Sequence, residues 1–85
     1  MPEISRFLGI VISMLYNEHN PPHFHAKYGN YKISVKIETG EITGKFPAQA
    51  RKSVLKWLDI HREELMKDWK LAVKNRPLNK IEPLE

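Results

Sequence analysis

The chain has no cysteine. Disulfide bridges and thiolate zinc sites are therefore excluded. It has no apolar run that approaches the roughly 20 residues a membrane-spanning helix needs. Its N-terminus lacks the basic region, apolar core and cleavage site of a signal peptide, so a cytoplasmic location is the expectation. Internal repeats, low-complexity tracts, a P-loop, a dinucleotide fingerprint and a nucleophile elbow are all missing. No Ser–His–Asp arrangement can be argued from spacing. Acidic residues are the minority: ten against fourteen Lys and Arg, for a formal net charge of +4. The surplus sits mainly in residues 46–85, which carry nine basic and six acidic side chains against five and four in residues 1–45. That balance favours anionic partners, nucleic acid first among them. Eighty-five residues make a single domain, 1–85. A core of that size is small, so a homodimer or a partner protein would add useful buried surface.

What the chain does have is a knot of imidazoles. Glu18-His19-Asn20-Pro21-Pro22-His23-Phe24-His25-Ala26 holds three of the four histidines. Imidazole titrates near neutral pH and is the commonest metal ligand. Proline fixes φ and pushes the preceding residue towards extended structure, so Pro21-Pro22 makes a stiff entry to His23. In a strand, alternate side chains share a face. His23 and His25 then point one way and Phe24 the other. His19 and Glu18, just ahead of the prolines, are candidates to fold back on the pair. Such a set suits a metal site or an acid–base pair. It equally suits histidines that merely cap a turn.

The apolar run Phe7 to Tyr16, with Ile10-Val11-Ile12 at its centre, reads as one strand. Ile10, Ile12, Met14 and Tyr16 share a face, and Val11 and Leu15 give the other face apolar character too. Asn17 to Pro22 reads as a turn. The clearest hairpin follows: His23 to Tyr28, a Gly29-Asn30 loop, then Tyr31 to Ile37. That loop places Tyr28 opposite Tyr31, Ala26 opposite Ile33 and Phe24 opposite Val35 on a buried face. Lys27–Lys32, His25–Ser34 and His23–Lys36 fall on the other face. A one-residue slip would wreck both patterns. Like charges set across from one another are unfavourable. The second face is therefore either a solvated surface that discourages edge aggregation or a receiver of phosphate. After a turn at Glu38 to Glu41, Ile42 to Phe46 pairs back, with Ile42 opposite Ile37. Residues 1–46 thus read as an antiparallel meander of three or four strands.

Pro47 opens the helical part, residues 47–75. Ala50, Val54, Trp57, Leu58 and His61, then Leu65, Trp69, Ala72 and Val73, lie on one side at 3.6-residue spacing. Lys52, Lys56, Glu63, Lys67, Lys70 and Lys74 line the opposite side. An unbroken helix from Ala48 to Lys74 would be roughly 40 Å long. That exceeds the width of a domain this size, so two helices with a bend near Asp59–Arg62 are expected. Asn75-Arg76-Pro77 ends the helical stretch, and residues 76–85 form a tail. The fold class is α+β, with two C-terminal helices on one face of the sheet. Both tryptophans read as core, and His61 as a satisfied core histidine.

The Met1 to Ile10 segment, the Glu-His-Asn-Pro-Pro-His-Phe-His-Ala signature and Trp57…His61-Arg62-Glu63-Glu64-Leu65…Trp69 together resemble a family of small bacterial proteins catalogued as a domain of unknown function. Where members often carry an aromatic pair, this chain has Leu15-Tyr16. Members are often encoded beside another small protein, in an arrangement like a toxin–antitoxin pair. The resemblance implies such a companion and supplies no reaction.

Three functional readings follow. The first is an RNA-acting toxin-like hydrolase, with His23 and His25 transferring protons and Lys27, Lys32 and Lys36 stabilising phosphate charge. The second is a metal protein that holds a zinc-like divalent ion on His19, His23, His25 and Glu18. The third is a docking module without catalysis, with Val11 and Leu15 at the interface.

Overall fold

The computed structural model describes residues 2–84. Five strands, β1 (Glu3–Phe7), β2 (Ile10–Ser13), β3 (His23–Tyr28), β4 (Tyr31–Lys36) and β5 (Ile42–Gly44), precede one helix, α1 (Ala48–Val73). The strands form a single sheet in the order β1-β2-β3-β4-β5, each antiparallel to its neighbour. The class is α+β as expected, with two corrections to its parts.

The first correction concerns the apolar run from Phe7. It is not one strand but the end of a hairpin, with Phe7 paired to Ile10. Leu8 and Gly9 make the turn with φ of 50° and 79°. Two consecutive positive φ values match the twist of a two-residue hairpin loop. Glycine tolerates that conformation and leucine does not advertise it. Leu8 is consequently pushed into solvent, 66% exposed.

The second concerns the helix, which is one element of 26 residues with a non-helical φ/ψ of −114°/21° at His61. Drawn straight, it would be roughly 39 Å long, more than the 33 Å longest dimension of the molecule. The kink falls inside the Asp59–Arg62 stretch where a bend is required, and the backbone continues through it. The Arg62 guanidinium ties it to the sheet by donating to the Ile37 carbonyl at 2.9 Å and to Asp59 Oδ1 at 3.0 Å.

The Gly29-Asn30 loop sets the β3–β4 register as the alternation requires: Phe24 faces Val35, His25 faces Ser34 and Lys27 faces Lys32. Ile42 pairs with Val35, not with Ile37. The Ile37 N–H donates instead to the Pro22 carbonyl at 3.0 Å, which extends the β3–β4 ladder back to the prolines. Phe24, Ala26, Ile33, Val35, Ile10, Ile12 and Met14 are buried with Trp57, Leu58, Leu65 and Trp69 of α1. The Trp57 ring sits 5.4 Å from Phe7 and 5.7 Å from Phe24, so both strand and helix aromatics share one core. Tyr28 and Tyr31 depart from the expected burial, at 37% and 49% exposed. They sit at the hairpin tip, where Tyr28 borders an open cavity of about 360 Å³ against Pro47 and Ala50, so the helix covers them only in part.

α1 ends in a Schellman arrangement. Asn75 takes φ of 58°, its N–H donates to the Ala72 carbonyl, and Arg76 N–H donates to the Leu71 carbonyl. That arrangement satisfies carbonyls a helix end would otherwise leave bare. Pro77 then forbids continuation. The following residues return along β1. Ile81 is buried and its N–H donates to the Ile4 carbonyl at 2.8 Å. Trp57 Nε1–H donates to the Glu82 carbonyl at 2.8 Å, and the Asn79 N–H to Asp68 Oδ1 at 3.0 Å. Asp68 is fully buried, and its second oxygen, Oδ2, has no partner among the described residues. Burial pushes its carboxyl up from the ordinary aspartate value. The Asn79 N–H opposes that shift and the charge of Glu64 reinforces it.

Candidate functional site

The prolines and the start of β3 build the site. Pro22 is fixed to the sheet by the bond from Ile37, so the chain enters His23 already in strand geometry. Period-two alternation then buries Phe24 and leaves His23 and His25 on the same side. Their rings meet edge to face at 5.2 Å. The Trp69 ring, 5.3 Å from His23, backs that imidazole with an apolar wall. The turn before the prolines bends Glu18 over the pair. Glu18 Oε1 lies 3.2 Å from His25 Nε2 and 3.5 Å from His23 Nε2.

The other nitrogen of His23 decides what that face can do. A carbonyl oxygen only accepts, so His23 Nδ1–H donates to the Pro21 carbonyl at 2.8 Å. That bond turns Nε2 toward the Glu18 carboxylate, 3.5 Å away. Fixing one imidazole nitrogen on a backbone carbonyl is the usual way of orienting the other as a ligand or base. His25 Nε2–H donates to Glu18 and holds its carboxyl below the usual glutamate range; burial opposes this and His23 adds to it. The three side chains are 18–30% exposed, so a small ion or ligand can reach them.

Glu18, His23 and His25 each offer a ligand atom, and these atoms lie within 4.8 Å of one another. Zinc bonds of about 2.0–2.2 Å in a tetrahedron set ligand atoms roughly 3.3–3.6 Å apart. The 3.2 and 3.5 Å separations from Glu18 to the two imidazoles fall near that edge length, and all three donors lie within 4.8 Å of one another. Two imidazoles and a carboxylate also form the protein half of open catalytic zinc sites.

Residues 9–70 match the model of the family described as Domain of unknown function (DUF4160). The chain belongs to that family. No curated protein and no solved structure matches it. The DUF4160 stretch contains Glu18, His23, His25 and Trp69, and so the whole of this cluster with its apolar wall; the returning tail lies outside it.

The other expected site residues are placed differently. His19 is exposed and is not among the three clustered donors, because its neighbour Glu18 takes the inward position. His61 packs on Trp57 at 5.6 Å and donates from Nδ1 to Glu64 Oε1 at 2.6 Å, a satisfied core-edge histidine. Lys36 is paired with Glu41. Lys27 and Lys32 face each other across the ladder, exposed and without an ion pair among the described residues. Trp69 had no signal in the sequence that tied it to His23, forty-six residues away. No helix of the described residues is long and apolar enough to cross a membrane.

Proposed function

We propose that Glu18, His23 and His25 hold a divalent, zinc-like metal ion and that the protein uses it in hydrolysis of an anionic substrate. One observation carries this reading. Both Nε2 atoms face a single carboxylate oxygen at 3.2 and 3.5 Å, while the Pro21 carbonyl fixes the remaining nitrogen of His23. A metal ion that displaces the His25 Nε2 proton would find both imidazole nitrogens and the carboxylate already gathered around it. A bound divalent ion would supply Lewis-acid chemistry. Glu18, His23 and His25 would fix its position, and Trp69 would exclude water from one side.

Calorimetric titration of chelator-stripped protein with zinc tests this. One ion per chain is expected, with affinity falling at least tenfold in His23→Ala, His25→Ala and Glu18→Ala. His19→Ala and His61→Ala should bind as the parent does. Absence of stoichiometric zinc, nickel or iron, together with no metal-induced rise in melting temperature, would end the reading.

The His25–Glu18 hydrogen bond favours a second reading, a metal-free acid–base pair acting on RNA. Lys27 and Lys32 would then stabilise phosphate charge, with Lys36 contributing less because Glu41 already holds it. RNA cleavage that survives chelator and disappears in His25→Ala would select this version. Cleavage by His25→Ala at the parent rate would remove both. For either chemistry, the partner in a toxin–antitoxin-like module is a small companion protein. Size-exclusion of the mixed pair, and of the chain alone for a homodimer, checks that part.

A further inference from the structure

Next to His25, on the same side of the sheet, lies a small cavity of about 140 Å³ lined by Ser13, His25, Ala26, Lys27, Lys32 and Ile33. Drug-sized ligands occupy roughly 300–1,000 Å³, so this hollow is scaled to a single compact group. Its polar lining is of one kind. Lys27 and Lys32 are directly paired across β3 and β4, and Ser13 is directly paired with His25 across β2 and β3. The register therefore brings Lys27, Lys32, Ser13 and His25 from three adjacent strands to the rim of one hollow. No carboxylate lines the hollow among the described residues. The nearest acid of the site, Glu18, is engaged by the imidazoles of His25 and His23.

We infer that this cavity is a binding site for one tetrahedral oxyanion, the phosphoryl group of a phosphate ester, seated beside the Glu18–His23–His25 centre. The inference rests on the proposed hydrolytic centre for its meaning and on the cavity for its chemistry. Charge selects the occupant. Two lysines and a divalent cation, less the charge of Glu18, leave a surplus that a phosphoryl dianion neutralises better than a carboxylate does. Lysine binds phosphate as a compact point charge on a flexible stem, so both side chains at this rim can turn their charge onto one guest. The Ser13 hydroxyl adds a donor of adjustable direction. His25 belongs to both the cavity and the donor cluster, so a phosphoryl group held here lies one side chain from the reactive position. That is the placement a metal-assisted displacement at phosphorus requires.

The test is a titration of the chelator-stripped chain with inorganic phosphate, followed by backbone amide shifts in nuclear magnetic resonance spectra. Saturable shifts confined to residues 13, 25–27 and 32–33 are expected. Lys27→Gln and Lys32→Gln should each weaken binding about tenfold, and acetate at equal concentration should compete poorly. Both lysines are exposed, so folding of the variants is checked by the unchanged amide spectrum of the core. Shifts that never saturate, that follow Lys67, Lys70 and Lys74 on the helix instead, or that acetate reproduces would overturn the site. Because the measurement uses metal-free protein, the two readings fail separately. Saturable phosphate on a chain that takes no zinc keeps the pocket and discards the metal centre. Zinc binding without saturable phosphate does the reverse.

Discussion

Two glycines, Gly29 in the β3–β4 loop and Gly44 in β5, offer a controlled test of how β4 and β5 are held. Gly29 and Gly44 both have positive φ, 58° and 110°. An alanine at either pays for a conformation that L-residues avoid, roughly 1–2 kcal/mol. They differ in their surroundings. A Cβ at Gly29 would meet nothing within 4 Å, whereas one at Gly44 would lie 2.6 Å from the Lys32 carbonyl oxygen and 3.1 Å from Ile33 Cγ2. The Lys32 oxygen is backbone in the strand that pairs with β5, so it cannot swing aside as a side-chain tip could. Gly29→Ala should therefore cost only the conformational part, about 1–2 kcal/mol. Gly44→Ala should cost that plus the separation of β5 from β4, together about 3 kcal/mol or more. At about 4–8 °C per kcal/mol for a chain of this length, the melting temperatures should differ by about 5–15 °C. Thermal unfolding followed by circular dichroism measures both. Equal losses for the two variants would mean that the close β4–β5 approach at Gly44 contributes nothing.

The remaining predictions concern the core and its buried acid. Asp68 has a raised pKa in the folded state, so between its unfolded and folded values the native chain binds the extra proton. Stability should therefore fall as pH rises through that window, and Asp68→Asn should flatten this limb in urea melts at a series of pH values; an unchanged slope would refute it. Phe24→Ala empties a fully buried site behind the two histidines and should cost about 3–5 kcal/mol by urea denaturation. Arg62→Ala removes the link from the kink to the Ile37 carbonyl, in part exposed to solvent, and should cost about 1 kcal/mol while leaving helix content by circular dichroism unchanged.

Much of this fold was legible where parity was fixed by a turn. Gly29-Asn30 allowed one register only, so the partition of Phe24 from His23 and His25 followed from alternation alone. The bend in α1 was legible from length, since a straight helix outruns the molecule. The hairpin at Leu8-Gly9 was not, because leucine gives no turn signal and the apolar run continues through it. Burial of Tyr28 failed for a different reason: facing the core side is not the same as being covered, and the helix covers the tip only in part. In the site, the shared face of His23 and His25 was readable, while the choice of Glu18 over His19 depended on a turn whose path composition does not set. Asp68 was overlooked although its position between Leu65 and Ala72, beside Trp69, put a carboxyl on the apolar stripe. That misfit was the available clue.

β1 is an edge strand, and what closes it is the segment around Ile81, held on Ile4 and by the Trp57–Glu82 contact. As the ribosome releases the chain, β1 emerges well before the segment that covers it. Until residues 79–82 emerge, its outer backbone groups are open to any other strand nearby. Nascent chains stalled before Asn79 should therefore associate with one another, and those stalled on an appended C-terminal linker that carries Leu84 clear of the ribosome should not.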